Sequence, residues 1–276
     1  MKKSVKIVLI LLLLILLGVV GFFAVAFCGN PVSHVLARVG ANIYLSEEWD
    51  GTDYTIEKVG YNFKDGNYYA RLTSPTTIDG DFTMYMNGWG RYKDDTYGSV
   101  TDGWNTYRRL ESDYRELVKS VLEREDFPIE SDIDFGTLPM YAEWSGFEWD
   151  PPLDYGIVVE ELVVNGEYDI RELGKENGCI VFYAYDETIT AERAGELMLL
   201  LKEELDKANV PFHAMDFVLE LPRREDGTRN NDAGEIRVEN FKYADIYPEG
   251  MTERVQKAHD ELEAIYAAAD AKGKFN

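Results

Sequence analysis

Hydrophobic and polar positions along this chain change period several times, and each change marks an element. Residues 7–28 are 22 consecutive positions without a charged side chain. At about 1.5 Å per residue such a helix spans roughly 33 Å, enough for a hydrocarbon core of about 30 Å. Gly29-Asn30-Pro31 breaks the run. Val32, Val35, Leu36, Val39 and Ile43 then recur at three- and four-residue steps, which predicts an amphipathic helix over 32–48. Residues 54–61 alternate as a strand does, Asp65-Gly66 signals a hairpin turn, and Asn67–Thr73 returns as a second strand. Residues 81–87 supply a third. The clearest helical stripe follows, from Trp104 and Tyr107 through Leu110, Tyr114, Leu117 and Val118 to Leu122. Residues 31–126 therefore read as helix, three strands, helix, with helices on one face of an antiparallel sheet.

The second half uses the same parts in a different order. Residues 162–164 and Cys179–Tyr185 are strand candidates. Thr190 suits the cap of a helix that turns Ala194, Leu197, Met198, Leu201 and Leu205 inward, and Val210-Pro211 ends it. Ala214–Leu221 and 235–243 read as strands joined by a polar loop. A last helix starts at Thr252 and carries Val255, Leu262, Ile265 and Ala269 on its apolar side. The fold class expected is α+β: a single N-terminal transmembrane helix followed by two small α+β domains with antiparallel sheets. The expected divisions are 1–28 for a cytoplasmic foot and anchor, 29–128 for a membrane-proximal domain, 129–156 for an acidic, aromatic-rich connector, and 157–276 for a distal domain.

Charge fixes the expected orientation. Lys2, Lys3 and Lys6 precede the apolar run, whereas Arg38 is the one basic side chain in the 20 residues after Cys28. The positive-inside rule puts the N-terminus in the cytoplasm and residues 29–276 outside a cell membrane crossed once. The run is longer than a secretory signal core, and Phe27 before Cys28 argues against lipidation, so residues 7–28 read as an uncleaved anchor. The whole chain has 28 basic and 51 acidic side chains, a net charge of −23. That balance excludes nucleic acid as a partner, because phosphate binding needs a basic surface. The excess is uneven. Residues 29–128 hold 11 basic and 17 acidic side chains, and residues 129–276 hold 14 and 34. Residues 125–170 contain 13 acids and no Lys or Arg. Aromatics are interleaved among them, and four prolines there forbid a long helix.

Motifs for chemistry are sparse. There is no G-x-S-x-G, no H-E-x-x-H and no C-x-x-C, and the three histidines are far apart in sequence. Glu130-x-Asp132-x-Asp134 and Asp226-x-Thr228-x-Asn230-x-Asp232 alternate oxygens as calcium loops do, but both lack the glycine that such a loop requires. The sequence thus points to no catalytic residue, no metal site and no cofactor. With two cysteines there is no disulfide framework, and Cys179 reads as a small buried hydrophobe in a strand. The candidate ligand-binding patch is Trp144, Glu148, Trp149 and Asp150, where aromatic faces beside carboxylates suit a cationic group or a peptide. A hydrophobic clamp is the competing reading of the same residues.

Several words in the chain are familiar in combination. Cys28-Gly29-Asn30-Pro31, Tyr44-Leu45, Gly51-Thr52-Asp53-Tyr54 and the run 59–69 resemble the YfjL-like proteins of Gram-positive bacteria, as do Val210-Pro211-Phe212 and the run 241–250. The resemblance covers essentially the whole chain. It implies one N-terminal anchor and two extracytoplasmic α+β domains, and it assigns no activity and no site residue. The expected function is a membrane-anchored binding or regulatory module. Its expected partners are the membrane, through residues 7–28, and a protein at the membrane or cell wall. A carboxylate-dependent extracellular hydrolase and a cation-responsive surface protein are the alternatives.

Overall fold

A computed structural model describes residues 3–141 and 153–271. The chain divides into two compact units. The first runs to Thr106 and includes Val163–Asn165; the second comprises Tyr107–Leu162 and Gly166–Asn276.

The first unit begins with helix α1 (Lys3–Cys28). Gly29 adopts φ +78°, the left-handed conformation that glycine tolerates without a Cβ penalty. Asn30 is extended and caps helix α2 (Pro31–Glu48), its side-chain oxygen accepting the Val32 amide at 2.8 Å. Four strands follow: β1 (Thr55–Asn62), β2 (Asn67–Thr73), β3 (Phe82–Met86) and β4 (Tyr92–Asp95). They form an antiparallel meander in sequence order. The alternation on β2 and β3 is strict: Tyr68, Ala70 and Leu72 face inward with Phe82, Met84 and Met86. β4 is not legible in the sequence, because its residues Tyr-Lys-Asp-Asp are mostly exposed and carry no apolar alternation. A short helix, α3 (Gly98–Thr101), contributes Val100 to this core.

α2 packs on this sheet with an unexpected face. Its buried residues are Ala37 and Ala41, whereas Val32, Val35, Val39 and Ile43 stay exposed. The reason is close approach. A Cβ on Gly40 would overlap the carbonyl of Gly90, and one on Gly90 would overlap the carbonyl of Leu36. Backbone this near to backbone admits only small side chains, so the bulkier valines are displaced to the outside.

Helix α4 (Trp104–Leu122) starts at the end of the first unit and enters the second at Tyr107. Its side chains Leu110, Tyr114, Val118, Val121 and Leu122 belong to the second core, not to the hairpin sheet with which the sequence grouped it. Strand β5 (Ser131–Thr137), helix α5 (Ile170–Asn177), strand β6 (Cys179–Tyr185), helix α6 (Ala191–Lys207), strands β7 (Ala214–Leu221) and β8 (Asn230–Lys242), and helix α7 (Met251–Ala271) complete it. Residues 162–164, read as a strand from sequence, instead follow a 3₁₀ turn at Val159–Glu161. β8 begins five residues earlier than expected. The sheet order is β5-β6-β7-β8. Two of its pairings are antiparallel, but β6 and β7 are parallel, because α6 carries the chain back between them. Thr190 caps α6 as expected, accepting the Arg193 amide at 3.2 Å. Ile180, Phe182, Met215, Phe217, Leu219 and Val238 from the sheet bury against Met198, Leu201, Leu205 and Val255 from the helices.

Candidate functional site

Trp144, Glu148, Trp149 and Asp150, singled out from the sequence, lie outside the described residues. The acidic clusters have structural roles. Glu130-x-Asp132-x-Asp134 alternates because it enters and follows β5, and Asp132 pairs with Arg223. Asp226 accepts the Thr228 amide at 2.9 Å and its hydroxyl at 2.6 Å, closing a turn. Asp232 pairs with Arg224 at 2.8 Å, and Arg229 holds buried Glu220 at 2.6 Å. Among the described residues, no group of three or more His, Cys, Asp or Glu side chains is placed to hold a metal ion.

The histidines divide the same way. His34 meets Tyr68 edge to face at 5.1 Å and sits 2.9 Å from the Cys28 carbonyl. His259 Nδ1 accepts the Arg237 amide at 3.2 Å. His213 lines a cleft.

That cleft, about 580 Å³, lies in the second unit, at the end of the sheet where β6 and β7 begin and β8 finishes. α6 ends at Lys207, and Val210 to Phe212 bring the chain back into the sheet. His213 is fixed there by its backbone: its amide donates to Gly178 O at 2.7 Å, and its carbonyl accepts the Tyr243 amide at 2.9 Å. One wall is apolar, made by Pro211, Phe212 and Tyr243, with Phe212 edge-on to Tyr243 at 5.0 Å. The opposite end is polar. Lys242 Nζ lies 3.1 Å from His213 Nε2, pairs with Asp154, and stands over the Tyr155 ring at 4.3 Å. Tyr155 packs on the His213 ring at 4.5 Å, and its hydroxyl donates to Asn240 Oδ1 at 2.9 Å. Lys175, Asp206 and Ala244 complete the lining.

Electrostatics follow from burial. Desolvation, aided by the Lys242 charge, lowers the His213 pKa, so the imidazole is neutral at pH 7. Burial raises the Tyr155 hydroxyl far above its ordinary range. Beneath it, burial pushes the Cys179 thiol up to about 12 and the Asp216 carboxyl up to about 6. The thiol is therefore protonated and shielded, the opposite of what a nucleophilic cysteine needs. Asp154 is held below the usual carboxylate range, mainly by its hydrogen bond to Lys242. The arrangement can bind and orient a ligand. A cation is fixed over an aromatic ring beside a neutral imidazole and an apolar wall.

Sequence reasoning missed this cleft. Its polar residues come from positions 154, 175, 206, 213 and 242, and no spacing in the chain unites them. Asp154 and Tyr155 fall within the acidic, aromatic segment 125–170, where nothing sets them apart from their neighbours.

Family models match both parts of the chain. One described as "YfjL-like, N-terminal domain" matches residues 2–96, and one described as "YfjL-like C-terminal domain" matches residues 113–256. No curated protein and no solved structure matches.

Proposed function

The chain belongs to the YfjL-like family, and on that premise we propose that it is a membrane-anchored, extracytoplasmic binding or regulatory module. It acts on a protein partner in the membrane or cell wall, and the cleft at Lys242 holds a segment of that partner. α1 is long and apolar enough to span a membrane, which supports the anchor. The lysines before α1 support a cytoplasmic N-terminus and a single crossing.

The observation that carries the binding role is the asymmetric pairing of Lys242. The Lys242 side chain is mostly covered, at 29% exposure, and rests on Tyr155, whereas the Asp154 side chain is 75% exposed. An ion pair with one partner this exposed contributes little, so a ligand carboxylate can replace Asp154 at small cost. The wall of Pro211, Phe212 and Tyr243 then takes an apolar neighbour. A peptide end, with its carboxylate at Lys242 and a hydrophobic side chain on the wall, matches both halves. Trp144, Glu148, Trp149 and Asp150 keep a proposed contact role. Asp150 is four residues from Asp154, within about 14 Å along an extended chain.

Photo-crosslinking in cells tests the reading. Benzoylphenylalanine replaces Ala244 in the cleft or, as a control, exposed Glu192. A discrete adduct from position 244 that is absent from position 192, and that is lost with Lys242→Ala, is expected. Equal adduct patterns at the two positions, or none from the cleft, would overturn it.

A further inference from the structure

The outward face of α2 carries an apolar surface that the binding cleft does not use. Val32, Val35, Val39 and Ile43 retain 50–66% exposure. At about 100° per residue they fall within an arc of roughly 80°, a single stripe along the helix. The same unit carries two exposed aromatics. Trp89, 78% exposed, precedes Gly90, whose backbone lies against Leu36 and Gly40 on the flank of α2. Phe63, 54% exposed, occupies the β1–β2 turn and packs on Phe27 of α1 at 5.7 Å. Single exposed apolar residues are ordinary, but a stripe of four along one helix, with a bare tryptophan and phenylalanine in the same unit, marks an interaction surface.

Its occupant follows from where it starts. The stripe opens four residues after α1 ends, and α1 is the segment suited to the bilayer. Gly29 in the left-handed region and extended Asn30 break the helix between them. Exposed Arg38 borders the stripe on α2, exposed Lys64 follows Phe63, and exposed Arg91 follows the Trp89-Gly90 turn. Exposed Asp65, next to Lys64, is engaged in its own turn, accepting the Asn67 amide at 2.9 Å. Aliphatic side chains with basic residues beside them near α1, and tryptophan at the border, suit a helix lying in the bilayer interface; the exposed acids of α2, Glu47 and Glu48, stand at its far end from α1.

We infer that α2, with Trp89 and Phe63, is a second membrane contact: its valine stripe lies in the interface of the leaflet from which α1 emerges, and its occupant is lipid. This rests on the reading that α1 spans the membrane. The first unit then sits on the bilayer through α2, with its sheet on the far side of that helix.

Full-length chain in phosphatidylcholine–phosphatidylglycerol vesicles, in a Cys28→Ser background, tests this; Cys179 is buried and stays unlabelled. An NBD fluorophore is placed by Val35→Cys, Val39→Cys, Thr76→Cys or Leu14→Cys. Quenching by nitroxide lipid is compared with quenching by aqueous iodide. The expected result is lipid quenching at 35 and 39 several-fold above that at exposed Thr76, with iodide quenching correspondingly reduced. Quenching at 35 and 39 equal to that at Thr76, while Leu14 responds to lipid, overturns the inference and leaves the anchor standing. No lipid quenching at Leu14 removes the anchor and, with it, this inference. Labels at 35 and 39 shielded from both quenchers would put protein, a second copy or a partner helix, against the stripe, and would also overturn it.

Discussion

Asp216 lies on β7 next to the candidate cleft, with one carboxyl oxygen accepting the Asn240 amide at 2.7 Å. Burial pushes its pKa from an ordinary 3.8 to about 6. An acid with a raised folded pKa favours the fold while protonated. That contribution is complete below about pH 4 and is lost as pH rises through about 6, a change of about 2–3 kcal/mol. Asp216→Asn keeps an oxygen for the Asn240 amide and removes the charge. The variant is expected to be the more stable form at pH 7.5, with the difference shrinking toward pH 4. Urea unfolding followed across that range checks it; parallel pH profiles for the two proteins would refute the assignment. None of this was readable in the chain, where Asp216 is one acid among 51. Cys179 was readable, because a cysteine inside Cys-Ile-Val-Phe-Tyr-Ala-Tyr has nowhere to go but a core.

At the scale of elements, α4 shows what a stripe of apolar residues leaves open. Its helical period is plain, yet period does not say which sheet receives it. Tyr114 decides. The ring is fully buried, and its hydroxyl donates to the Pro211 carbonyl at 3.0 Å. It is received by three glycines: Gly136 of β5, Gly174 of α5, and Gly178 between α5 and β6. A Cβ at any of them would overlap Tyr114 or its surroundings; at Gly174 it would also lie 2.8 Å from the Pro211 carbonyl oxygen. Alanine within a helix favours folding by about 1 kcal/mol over glycine. Overpacking costs about 1–3 kcal/mol or more, and here one obstacle is backbone, which cannot turn aside. Gly174→Ala is therefore expected to lower stability on balance, by about 1–2 kcal/mol, measurable as a drop in the denaturation midpoint. An unchanged or raised midpoint would show that Tyr114 has room to move. α2 teaches the same point from the other side. Its period is correct and its apolar stripe is real, but Gly40 and Gly90 give the sheet to the small residues.

Over the whole molecule, 51 acidic side chains face 28 basic ones, so the folded chain works against its own charge. Several ion pairs among the described residues are exposed on both sides and contribute little individually. The net repulsion should dominate the response to salt. Raising ionic strength from about 0.01 M to about 1 M shortens the screening length from about 30 Å to about 3 Å. Tm is expected to rise over that range of sodium chloride, and a fall would mean that the pairs outweigh the repulsion. The sequence by itself determined the apolar α1, the α+β class, most of the helices and strands, and the sign of the charge. These depend on local period, turn chemistry and composition, all of which are carried by neighbouring residues. Only the tertiary structure decided which core α4 joins, that β6 and β7 run parallel, which face of α2 is left bare, and that positions 154, 175, 206, 213 and 242 meet in one cleft. Those outcomes depend on close approach between segments distant in the chain, where a missing Cβ or a returning helix settles what can touch.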